Sequence, residues 1–85
     1  MSVNTTLEQR GERYGEFKNH AVISQQLQQI MRTTDNWSNL TAPQKECLQM
    51  IQHKIARILN GDPNYKDNWH DIQGYAKLVE DLCDA

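Results

Sequence analysis

At 85 residues, 38% apolar and 24% charged, the chain fits one domain with a thin core, because a fold this short buries only roughly 60% of its unfolded surface. Nine basic against eleven acidic residues leave a net charge of −2, which excludes the broad positive field that a duplex-coating protein needs. Its apolar runs are only a few residues long, far below the roughly 20 of a membrane span.

Residues that favour strands are sparse and no period-two alternation is sustained, so the expected class is all-α. The spacing predicts a single domain over 1–85, a compact bundle of three main helices plus a short N-terminal helix. The short helix runs from about Thr5 to Arg13, capped by Asn4 or Thr5, with a break at Tyr14-Gly15. The second helix, Phe17 to about Arg32, places Phe17, Ala21, Ile23, Leu27, Ile30 and Met31 near one stripe expected to face the core. Thr33 to Leu40 holds Asp35, Asn36, Ser38 and Asn39, whose side chains compete for backbone hydrogen bonds and predict a loop, with Trp37 folding back onto the core.

Thr41-Ala42-Pro43-Gln44 is the clearest helix start, since a Thr cap precedes Gln by three positions and Pro falls in the first turn. The third helix is expected to bury Cys47, Leu48, Ile51, Ile55, Ile58 and Leu59 and to stop at Asn60-Gly61, where Gly can adopt positive φ. A fourth helix, capped by Asp67 or Asn68, carries Trp69, Ile72, Tyr75, Ala76, Val79 and Leu82 on its expected inner side. Gly74 within that helix suggests the close approach of a neighbouring helix. Cys47 and Cys83 form no C-x-x-C pattern, so two buried reduced thiols are expected. Association between subunits would enlarge so small a core, and a homo-oligomer is expected.

Three clusters carry chemistry. Lys54 and Arg57, at i and i+3 beside His53, make a cationic pair suited to phosphate, because guanidinium donates a fork and ammonium adds a point charge. The alternative is that both are neutralised by carboxylates of the fourth helix. Asp67, Asn68, Trp69, His70 and Asp71 bring an imidazole and two carboxylates to a helix start; Asp71 can pair with Lys54 or Arg57, hold a metal or orient a sugar. Arg13-Tyr14-Gly15 couples a cation to an aromatic ring on which a nucleobase can stack. The candidate ligand-binding residues are therefore Arg13, Tyr14, His53, Lys54, Arg57, His70 and Asp71. His20 is expected to be a packed histidine and Phe17 a core residue.

Arg10 or Arg13 before Tyr14-Gly15-x-Phe17, Lys54-x-x-Arg57 and Trp69-His70-Asp71-Ile72-x-Gly74-Tyr75 together resemble a family of small phage- and prophage-encoded helical proteins of unknown function, from Glu8 to about Glu80. The third and fourth helices are also distantly similar to all-α nucleotide pyrophosphohydrolases of the MazG type. That resemblance implies magnesium held by Glu-x-x-Glu and Glu-x-x-Asp pairs against a triphosphate. This chain departs from the pattern: the third helix has only Glu46, and the pairs Glu12/Glu16 and Asp67/Asp71 lie on other segments.

The leading expectation is a non-catalytic protein that binds a nucleotide or other phosphorylated small molecule, sequestering a nucleotide signal of host antiviral defence. It needs no cofactor. The N-terminal residues show no signal-peptide pattern, so the expected location is the cytoplasm of a bacterial host, without membrane or duplex nucleic acid as partner. One alternative is a metal-dependent pyrophosphohydrolase with Asp67, Asp71 and Glu16 on magnesium. Another is a protein–protein inhibitor acting through an exposed Trp or Tyr.

Overall fold

The computed structural model describes residues 2–83, so Met1, Asp84 and Ala85 of the expected 1–85 domain lie outside the described residues. The fold is all-α: α1 (Val3–Tyr14), α2 (Phe17–Arg32), a single 3₁₀ turn (Trp37–Asn39), α3 (Ala42–Asn60) and α4 (Lys66–Glu80). α3 is the central element; α2 and α4 pack on it rather than on one another, and α1 leans on the start of α2 and the end of α3. The result is a layer of helices 44 × 26 × 22 Å in extent.

Local chemistry explains most boundaries. Thr41 accepts from the Gln44 N–H at 3.3 Å while the Gln44 side chain accepts from the Thr41 N–H at 2.9 Å. This reciprocal pair satisfies two otherwise orphaned donors at the start of α3. The first cap lies earlier than expected, because Ser2 rather than Asn4 or Thr5 accepts from the Thr5 N–H at 3.1 Å. α4 also begins early, at Lys66, with no side-chain cap from Tyr65; Asn68 is instead buried within the first turn.

The corner between α1 and α2 is pinned to the end of α3. Asn60 Nδ2 donates to the Tyr14 and Glu16 carbonyls at 2.8 and 2.9 Å, and the Asp62 N–H donates to the Arg13 carbonyl at 2.7 Å. Two glycines permit the approach. Gly15 has φ +77°, and a Cβ there would collide with the Asn60 carbonyl. Gly61, expected to need positive φ, has φ −131°; its lack of a side chain serves the close passage of Arg13 and Tyr14 backbone. No neighbour approaches Gly74, where a Cβ would meet nothing within 4 Å.

The interior is largely polar. Among the described residues His20, Ser24, Gln52, Lys54 and Asn68 are buried, whereas the buried apolar residues are only Cys47 and Ala56. Ser24 and Gln52 bond across the α2–α3 seam at 3.2 Å, and Cys47 Sγ donates to the Tyr75 carbonyl across the α3–α4 seam at 3.1 Å. Many residues expected inside lie outside: Phe17, Ile30, Leu59 and Leu82 are 65–80% exposed, and Leu48, Ile55 and Trp69 are also exposed. Cys83, expected buried, is exposed. Trp37 is half-buried, with the Lys45 ammonium 6.0 Å from its ring centre.

Candidate functional site

The pinned corner creates a cleft. The last two turns of α1, the Gly15-Glu16 corner, the first turn of α2 and the second half of α3 enclose a hollow of about 480 Å³, within the 300–1,000 Å³ range of small-molecule sites. Its walls are Leu7, Arg10, Gly11, Tyr14, Phe17, His20, His53 and Arg57, with Glu16 as one carboxylate on the rim. Arg10, Tyr14 and Phe17 follow one another at helical spacing across the corner, while His53 and Arg57 are one turn apart on α3.

Arg57 sits over the Tyr14 ring, its guanidinium carbon 4.1 Å from the ring centre. A cation–π contact of this kind holds the guanidinium in place while leaving N–H donors free for a ligand. Tyr14 meets Tyr65 edge-on at 6.0 Å, and the Arg13 guanidinium lies over the Tyr65 ring, 5.0 Å from its centre. Among the described residues the carboxylate ion pairs are Lys54–Asp71 and Lys77–Asp81, so Arg10, Arg13 and Arg57 have no carboxylate within salt-bridge distance.

His20 and His53 form an edge-to-face pair at 4.6 Å. Burial, together with the nearby Arg57 charge, lowers the His20 pKa. Burial, then Arg57, His20 and Lys54, push His53 down to about 4. Both imidazoles are therefore neutral at pH 7, held so first by burial and then by the nearby Arg57 charge. His20 Nδ1 is buried without a hydrogen-bond partner among the described residues, an unusual state for a polar atom in a cleft wall.

The sequence-predicted residues divide between two places. Tyr14, His53 and Arg57 share the cleft, whereas Arg13 is not among its walls and lies over the Tyr65 ring. Lys54 points to α4 instead: its side chain is 11% exposed and its Nζ lies 3.0 Å from Asp71 Oδ2. His70 and Asp71 line a separate, shallower hollow with Gly74, Tyr75 and Leu78. The heads of Lys54 and Arg57 thus lie in different places, one on Asp71 and the other in the cleft wall. Arg10, Phe17 and His20 join the site without having been among its predicted members, although Arg10 and Phe17 stand in the Arg-x-x-x-Tyr-x-x-Phe run that also contains Tyr14. Among the described residues no three His, Cys, Asp or Glu side chains are grouped to hold a metal ion; Glu16 and Asp71 line different hollows, and Asp67 accepts from the Tyr65 hydroxyl at 2.8 Å.

Fold and site define an all-α domain with an arginine- and aromatic-lined cleft at a helix corner. The chain belongs to the family described as Domain of unknown function (DUF6378), which matches residues 2–83. Neither curated proteins nor solved structures give a significant match.

Proposed function

We propose that the protein binds a phosphorylated small molecule, foremost a nucleotide, in the cleft between α1, α2 and α3, and holds it without turnover. The observation that carries this reading is Arg57, held over the Tyr14 ring with no carboxylate within salt-bridge distance among the described residues. Arg57 and Arg10 offer forks to phosphate oxygens, and the outward ring of Phe17, 80% exposed, offers a face for a base. The resemblance to phage-encoded proteins supplies a setting, in which the chain withholds a nucleotide signal of antiviral defence inside a bacterial host.

Calorimetric titration with mono-, di-, tri- and cyclic nucleotides tests the reading. Heat of binding is expected from at least one class, and Arg57→Ala should weaken it by about 1.5–3 kcal/mol, the worth of a charge-assisted hydrogen bond. No heat from any nucleotide overturns it. Release of pyrophosphate from a triphosphate with magnesium would replace sequestration with hydrolysis of the MazG kind.

A further inference from the structure

Beyond the cleft, the opposite side of the helical layer is apolar and bare. On α3 the stripe Glu46, Met50, His53 and Arg57 faces the cleft side, where these residues line its hollows. The stripe Gln44, Leu48, Ile51 and Ile55, continued by Leu59, lies about half a helical turn away. Gln44, Leu48 and Ile51 line a groove of about 340 Å³ whose other wall is Ala76 and Val79 of α4, and no lining residue is charged. Leu48 is 42%, Ile55 38% and Leu59 65% exposed. Trp69, at helical spacing before Ala76 and 50% exposed, extends this face along α4.

We infer that this face is the interface with a second copy of the same chain, packed α3 stripe against α3 stripe. Three observations choose that occupant. The first is area: the chain exposes 6379 Å², about 1,200 Å² more than the roughly 5,200 Å² expected of a compact monomer of this mass. That molecule-wide surplus, to which the exposed Leu48, Ile55, Leu59 and Trp69 contribute, is larger than the about 800 Å² per partner that a standard stable interface removes. The second is pattern: the 4-3-4 spacing of Gln44, Leu48, Ile51 and Ile55 is that of a knobs-into-holes seam, and its lack of charge lets identical faces meet about a two-fold without repulsion. The third is the interior, in which Cys47 and Ala56 are the only buried apolar residues among the described ones. A chain so poor in internal apolar burial needs its apolar partner whenever it folds, and an identical copy is the partner present at every synthesis.

Sedimentation equilibrium together with thermal unfolding at several protein concentrations tests this. The wild-type chain should show twice its 9.9 kDa mass, and its unfolding midpoint should rise with concentration. Ile55→Glu with Leu59→Glu should give single-chain mass or an unfolded chain, whereas Val22→Glu, on an exposed position of α2, should leave the doubled mass intact. A wild-type chain of single mass with a concentration-independent midpoint overturns the inference, as does a folded Ile55→Glu, Leu59→Glu chain of doubled mass. Neither result bears on nucleotide binding, which the calorimetric titration reads separately.

Discussion

Lys54 and Arg57 are three residues apart, yet one is consumed by the fold and the other is left for the cleft. Lys54 is buried against Asp71, so Lys54→Ala leaves a carboxylate without its counter-charge. The expected loss of stability is below the about 3–5 kcal/mol of a fully buried pair, since the Asp71 side chain is 43% exposed. Arg57→Ala, which removes no ion pair but gives up the contact with the Tyr14 ring, should cost about 0.5–1 kcal/mol. Urea unfolding of the two variants side by side reads the difference. The histidines add a pH dependence. Their folded pKa values lie below the usual 6.5, His53 at about 4, so the unfolded chain takes up their protons first as acid is added. Their contribution to stability is intact above pH 6.5 and declines as pH falls toward 4. An anion on Arg57 reverses part of the depression, so nucleotide binding should take up protons near pH 5–6 and tighten as pH falls. Heats measured in buffers of different ionisation enthalpy report that uptake.

At the level of elements, the chain's local signals and its spatial ones differ in how far sequence exposes them. The Thr41/Gln44 box, the Tyr14-Gly15 break and the Asn60-Gly61 stop are encoded within a few residues, and the helix boundaries follow from them. Which way a stripe faces is not so encoded. Leu48, Ile55 and Leu59 have the periodicity of a core face, but periodicity shows only that a face is apolar, not whether its partner belongs to the same chain. Arg57 on Tyr14 is likewise invisible in sequence, because the contact spans 43 positions and depends on Asn60 holding the α1–α2 corner. The glycines make this testable. Gly61→Ala should open the corner by forcing its Cβ into the Arg13 and Tyr14 backbone, lowering stability and nucleotide affinity together. Gly74→Ala meets nothing within 4 Å and should raise stability by about 0.5–1 kcal/mol through helix propensity. Thermal unfolding of the pair distinguishes a glycine required by packing from one that is not.

The whole molecule is a thin helical layer with chemically different sides. Its radius of gyration is 14.6 Å, against about 12 Å for a compact chain of this length. One side presents neutral imidazoles and arginines around a cleft, and the other presents the exposed Leu48, Ile55 and Leu59 of α3 with Trp69 of α4. Pairing through the apolar side would leave both clefts of a dimer open to solvent and give each protomer the core it lacks. No helix of the described residues is long and apolar enough to cross a membrane, so the apolar face does not belong to a membrane-spanning helix.

The most direct measurement of the central claim is a nitrogen–proton NMR titration of the wild-type and Arg57→Ala chains with ATP and AMP. In the wild type, shifts should concentrate at Arg10, Tyr14, His53 and Arg57, sparing His70 and Asp71, and Arg57→Ala should remain folded while losing them. Shifts centred on His70 and Asp71, or an equal response in the two chains, would contradict the account.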